Sequence, residues 1–283
     1  MNDAPQTLTI DIGDAELPYL YYHGQGRAVV MLHATGFSPW LWHPIARALA
    51  GDYRLIAPYF CDYRESDPAS GLSWMNLAAD LSRMCERLNM ASPLLVGHSM
   101  GAAVMTIAEA AHGLGAAGMI LIEPIFLPQE HYHRQIRVED HPMASRSIRR
   151  RNFWQDSSAA RAYLRSKEMF KNWDEEFLDL YIQHGMVEQN TGGLKLTCSP
   201  QRETALFMGE MKYNPWPLLP KISCPTLVIE GAKSVNRHLI DLKAAAAALP
   251  HGSYRLVADA GHLIPMEKPK EIIQIITDCL RSL

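Results

Sequence analysis

The sequence predicts an α/β fold: a mostly parallel sheet flanked by helices and interrupted once by a helical cap insertion. Three observations carry this. Apolar runs of strand length alternate with helical patterns from residue 17 to residue 123. A stretch richer in charge and aromatics then occupies 128–211. Strand patterns resume at Thr226 and end in a closing amphipathic helix.

Taken in order, residues 17–23 alternate apolar and polar and predict a half-buried strand. AVVML at 28–32 is a continuous apolar run, the signature of a strand buried on both faces. Residues 40–50 predict a helix and 54–58 the next strand. Residues 73–89 predict an amphipathic helix capped by Ser73. A strand at 94–97, an apolar helix at 101–111 and a strand at 119–123 (MILIE) follow. TLVIE at 226–230 and residues 253–258 predict the last strands, and 268–283 the final helix. Strand-helix alternation of this kind implies parallel pairing with helices on both faces. A structureless connection of roughly 100 residues between two strands of one sheet would be improbable, so the interruption reads as a folded lid. The expected division is a core of 1–127 and 213–283 with a cap of 128–212.

Composition narrows the function. The 283 residues are 48% hydrophobic and carry a formal net charge of −3, which gives no electrostatic footprint for nucleic acid or an anionic membrane. The five cysteines are scattered and form no CxxC, which argues against a disulfide framework and a zinc site and fits a reducing compartment. The start MNDAPQTLTIDIGD lacks a basic and apolar leader, and no apolar run reaches the roughly 20 residues needed to span a bilayer. A cytoplasmic protein is expected, without cofactor or metal, as a monomer or homodimer.

Three motifs converge on one chemistry. Gly97-His98-Ser99-Met100-Gly101 lies between a predicted strand and a predicted helix. G-x-S-x-G there forms a sharp turn that lifts the serine hydroxyl above the sheet, at the positive end of the helix. The flanking positions tolerate little beyond hydrogen, which is why glycine occupies them. His33-Ala34-Thr35-Gly36-Phe37 follows the second predicted strand and can aim backbone N–H groups at an oxyanion. Thr35 is the expected donor there, with Gly36 as its alternative, and Met100 supplies the second N–H. Asp259-Ala260-Gly261-His262 follows the last strand. Histidine suits a general base because its ordinary pKa lies near neutrality. The order nucleophile first, histidine last is that of serine hydrolases built on this turn.

On these motifs the chain resembles the α/β-hydrolase superfamily from residue 17 to 283, in the branches that carry a helical cap. The resemblance implies a Ser99–His262 pair, an acyl-enzyme and a small-molecule ester as substrate. Serine in the elbow argues against dehalogenase and epoxide-hydrolase chemistry, where aspartate holds that place. C–C hydrolysis of a dienoate uses the same pair and is one alternative. A non-catalytic binding protein on this fold is another, and a cofactor-free perhydrolase or oxygenase a third.

The chain departs from the commonest family pattern at the acid. The usual aspartate lies three residues after the glycine that follows the penultimate strand, and Ser234 stands there. Serine cannot stabilise the imidazolium formed when the histidine takes a proton. Glu123, at the end of the strand MILIE, is the expected substitute, because an unpaired carboxylate buried there would cost several kcal/mol. Asp241 and Glu230 are the alternatives.

Trp40 and Phe126 are the expected pocket-lining aromatics. His98 reads as a packing residue beside the nucleophile. His131, His133 and His141 lack a third ligand at a convincing spacing. Arg146, Arg149, Arg150 and Arg151 read as a solvated helix face, with reception of an anionic substrate as the alternative.

Overall fold

A computed structural model describes residues 4–283, so the first three residues of the N-terminal stretch lie outside the described residues. Eight strands form one sheet: β1 (Gln6–Asp11), β2 (Glu16–Tyr22), β3 (Ala28–Leu32), β4 (Arg54–Pro58), β5 (Leu94–His98), β6 (Gly118–Ile122), β9 (Thr226–Gly231) and β10 (Gly252–Val257). The strand order is β1-β2-β4-β3-β5-β6-β9-β10, antiparallel at β1-β2 and β2-β4 and parallel from β4 onward. Strand β1 has too little buried surface to stand out as an apolar run: five of its six residues are exposed, and it adds a solvated edge to the sheet.

The apolar runs of β3, β5 and β6 are buried at every residue, as a parallel sheet covered on both faces requires. Each fully buried Leu or Ile there contributes about 1.5–3 kcal/mol relative to exposure. Helices α2 (Trp74–Arg87), α3 (Met100–His112) and α8 (Leu242–Ala248) cover one face; α1 (His43–Leu49) and α10 (Pro269–Ser282) pack together on the other. The Ser73 hydroxyl accepts from Asn76 N–H at the start of α2, as predicted. The helix expected at 40–50 is instead a 3₁₀ turn, Pro39–Trp42, followed by α1. Pro44 at the first turn of α1 lacks the N–H that a continuous helix would use.

Between β6 and β9 the chain forms α4 (Ala144–Ser147), α5 (Ser157–Arg165), α6 (Glu175–Gly185), the hairpin β7 (Met186–Glu188) and β8 (Leu194–Leu196), and α7 (Pro200–Glu210). Asp156, Asp174 and Ser199 cap α5, α6 and α7 by accepting backbone N–H groups. The short helix α9 (Ile264–Glu267) precedes α10. No helix among the described residues is long and apolar enough to cross a membrane.

The parallel strands all end on one edge. From β3 the chain runs outward to β4 and then crosses back to β5. In open α/β sheets such a reversal leaves a crevice beyond the strand ends, between the two diverging connections. The residues just past β3, β5, β6, β9 and β10 meet there.

Candidate active site

Ser99 follows β5 with φ 56° and ψ −117°, a conformation that non-glycine residues avoid. Such a residue costs of order 1–3 kcal/mol and persists only where its surroundings fix it. The flanking glycines provide that fixation. A Cβ at Gly97 would collide with the Ala102 backbone, and one at Gly101 with the Leu32 and His33 carbonyls. Helix α3 can therefore start directly against β5 and β3, and the Ser99 N–H donates to the Ile122 carbonyl at 2.9 Å. Glu123 (φ 50°) and Asp259 (φ 55°) are also left-handed, so the backbone is forced at three strand ends on this edge.

The Ser99 hydroxyl donates to His262 Nε2 at 3.0 Å. His262 Nδ1–H donates to Glu123 Oε2 at 2.9 Å. Glu123 is 1% exposed, and its two oxygens are fully engaged: Oε1 accepts from the Gly231 N–H and Oε2 also accepts from the Ser234 hydroxyl, each at 2.7 Å. Strands β6 and β9 are parallel neighbours, so Glu123 and Ser234 converge from adjacent strand ends. Residue 234 thus serves the carboxylate instead of being one. The other acids considered are engaged elsewhere. Glu230 pairs with Arg237 at 2.7 Å and accepts from the Tyr254 hydroxyl, and Asp241 caps α8.

Two neighbours support His262: His98, expected only to pack beside the nucleophile, and Asn236, which the sequence reading did not single out. His98 Nε2–H donates to the His262 carbonyl at 2.9 Å, so it anchors the loop that presents the imidazole. Burial, with the adjacent His262 adding to it, pushes His98 down to about 3, which keeps it neutral. The Asn236 amide stands 3.0 Å from His262 Nδ1. Ser234 and Asn236 carry no motif of their own. The one signal for Ser234 is its place three residues past Gly231, where the family's commoner acid would sit.

The loop after β3 closes with Phe37 N–H donating to Ala34 O at 3.2 Å, and Gly36 at φ 76° takes the third place of a type II turn. This leaves Thr35 partly exposed. Met100 is the first residue of α3, where a helix has no internal partner for its N–H. Burial lowers His33, at the root of the loop, to about 4 against the opposing bond to Ala34.

The segment between β6 and β9 packs on this loop. Phe37 meets Trp173 and Tyr181 edge-on, with centroids 5.5 and 5.8 Å apart. The Glu203 carboxylate lies where a Gly36 side chain would stand. It accepts from Arg150 at 2.7 Å and from the Ser147 hydroxyl at 2.8 Å. Trp40 is half-buried, donates to the Tyr59 hydroxyl at 2.8 Å and stacks on His184 with centroids 3.6 Å apart. Phe126 is wholly buried in the core, 6.4 Å from the Trp216 ring. Arg150 is half-buried and paired with Glu203 and Tyr181, whereas Arg146 and Arg149 face outward.

The family model described as the alpha/beta hydrolase family matches residues 29–275. The Abhydrolase domain-containing protein ACTT2 of Alternaria alternata is 27% identical over 225 residues, covering 67% of this chain and 83% of that protein. The (E)-2-((N-methylformamido)methylene)succinate hydrolase of Acinetobacter baylyi is 18% identical over 276 residues, 97% of this chain and 98% of that one. Among solved structures, E-2-(acetamidomethylene)succinate hydrolase superposes with a TM-score of 0.80 at 19% identity, over 98% of this chain and 99% of its own. A thermophilic esterase from Thermogutta terrifontis, with malate bound, gives 0.71 at 24% identity over 98% of each chain. With its eight-stranded sheet, its strained serine between β5 and α3 and a family match spanning most of its length, the chain belongs to the alpha/beta hydrolase family.

Proposed function

We propose that the protein is a serine hydrolase working by acyl transfer, a carboxylesterase for small or medium esters. The observation that supports this most is the continuous relay from Ser99 through His262 to Glu123, at 3.0 and 2.9 Å. Ser99 attacks the ester carbonyl while His262 Nε2 takes its proton. Glu123 stabilises the resulting imidazolium and fixes the tautomer that leaves Nε2 free to accept. The Thr35 and Met100 N–H groups hold the oxyanion of the tetrahedral intermediate. His262 then protonates the departing alcohol, and water enters to release the acid by the same steps in reverse. Residues 128–212 act as the cap, and Trp40 lines the pocket beneath it.

One observation favours a narrower substrate class. Arg150, a residue of the cap itself, pairs with Glu203, whose carboxylate touches Gly36 of the loop after β3. One relative is named as a hydrolase of a substituted succinate. A substrate with a free carboxylate next to the cleaved bond would fit a cation in that place.

A fluorophosphonate probe should label the native protein once, and Ser99→Ala should abolish the label and lower turnover by about 10⁶-fold. A panel of neutral nitrophenyl esters, half-esters of dicarboxylic acids and a dienoate ring-fission product assigns the bond cleaved. Absence of labelling, or turnover of none of the esters, would overturn the esterase reading. A preference of tenfold or more for half-esters would support the narrower class.

A further inference from the structure

A second group of reactive side chains lies at the root of the oxyanion loop, and the reaction proposed above does not use it. His33 follows β3; Cys61 and Asp62 follow β4, the neighbouring strand. One imidazole nitrogen, the Cys61 Sγ and one carboxylate oxygen of Asp62 all lie within 4.8 Å of one another. His33 and Cys61 are 2% and 0% exposed.

The His33 ring is set up for ligation. Its Nδ1–H donates to the Ala34 carbonyl at 2.9 Å, so the lone pair is on Nε2. The Phe60 ring packs against the imidazole, with centroids 4.8 Å apart, and fixes its plane. Nε2 is buried and has no hydrogen-bond partner among the described residues. A buried acceptor without a partner normally costs about 1–3 kcal/mol, and such atoms are rare in folded proteins. A backbone carbonyl on Nδ1–H with Nε2 directed at other ligands is the usual arrangement of a metal-bound histidine. The Cys61 thiol and the Asp62 carboxylate already share a contact at 3.8 Å. Arg202 of α7 donates to the Cys61 and Arg64 carbonyls at 2.9 and 2.7 Å and so holds this loop in place.

We propose that His33 Nε2, Cys61 Sγ and an Asp62 carboxylate oxygen form a binding site for a divalent cation of the zinc class. Imidazole with thiolate selects zinc and similar borderline ions over magnesium or calcium, which take oxygen ligands. Tetrahedral zinc at its usual bond lengths sets ligand atoms about 3.3–3.8 Å apart, so the group has to contract by roughly 1 Å. The bound ion ties the end of β3 to the end of β4 and stiffens the loop that carries Thr35 and Gly36. The sequence hid this site because its ligands come from two separate strand ends, in no metal-binding spacing. The inference stands whether or not the protein is an esterase.

Cobalt(II) serves as the probe, because a cobalt–thiolate bond gives a near-ultraviolet charge-transfer band. Titration of the full chain should produce that band with one equivalent per chain, and zinc should displace it. Cys61→Ser should abolish the band, and Asp62→Asn should weaken binding at least tenfold. Cys279→Ser, a change at a half-buried cysteine elsewhere, should leave it intact. Zinc should raise the melting temperature of the parent but not of Cys61→Ser. If Cys61→Ser fails to fold, Asp62→Asn and the melting shift decide. No band in the parent, a band that survives Cys61→Ser, or equal binding by Asp62→Asn would overturn the proposal.

Discussion

The Ser234 hydroxyl donates to Glu123 Oε2 across 2.7 Å, so the ends of β9 and β6 share one buried carboxylate. That carboxylate faces His262 from the strand next to the family's commoner acid position. Glu123→Gln should lower kcat by about 10⁴-fold with the fold intact, as wrong-tautomer variants of other triads do. Ser234→Ala should cost about tenfold, the effect of one lost buried hydrogen bond. In a Glu123→Ala background, Ser234→Asp should restore at least tenfold, because it returns a carboxylate to the same cavity from the neighbouring strand. Steady-state kinetics and circular dichroism on the four variants check this. Near-normal turnover of Glu123→Gln would remove it from the triad.

Gly36 offers a second test. Its φ of 76° disfavours any side chain, and a methyl there would press on Glu203. Gly36→Ala should displace the Thr35 N–H and lower kcat by about 10²–10³-fold, the loss expected for one oxyanion donor. KM should change little. A variant with raised KM and unchanged kcat would place the oxyanion site elsewhere.

Acid should unfold the protein early. His98 and His33 are buried and neutral, lowered by burial to about 3 and 4 from an ordinary histidine value of about 6.5. The unfolded chain binds more protons than the native one between these values. The stability that depends on their neutrality is therefore complete above pH 6.5 and is lost as the pH falls toward 4 and then 3. Urea midpoints at pH 7.5 and 5.0 measure the fall. His98→Asn should make it shallower, and an identical slope would show that His98 does not titrate in this way.

The two aromatic residues expected at the pocket should separate. Phe126 is completely enclosed, so Phe126→Ala should cost about 3–5 kcal/mol in a denaturant titration and leave KM near its parent value. Trp40 is half-buried and holds His184 by stacking. Trp40→Ala should raise KM severalfold with a smaller loss of stability. The reverse pattern would exchange their roles.

The sheet was legible because β3, β5 and β6 are short, wholly apolar runs, which buried parallel strands demand. The serine elbow was legible because steric exclusion around Ser99 leaves glycine as the residue for positions 97 and 101. The edge strand β1 was not, since solvation on both sides erases the alternation that marks a strand. Ser234, Asn236 and His98 act through contacts between strand ends far apart in sequence, and no local spacing records such contacts. Arg150 looked like one of several surface arginines because its partners, Glu203 and Tyr181, arrive later in the chain.

The hairpin of β7 and β8 turns through Gly192 and Gly193, both with positive φ, at a tip exposed to water. A break in the peptide at that tip would leave Ser99 and Glu123 on one fragment and His262 on the other. Neither piece would hold the whole Ser99–His262–Glu123 relay, so that relay exists only while the chain segments on either side of the hairpin stay docked.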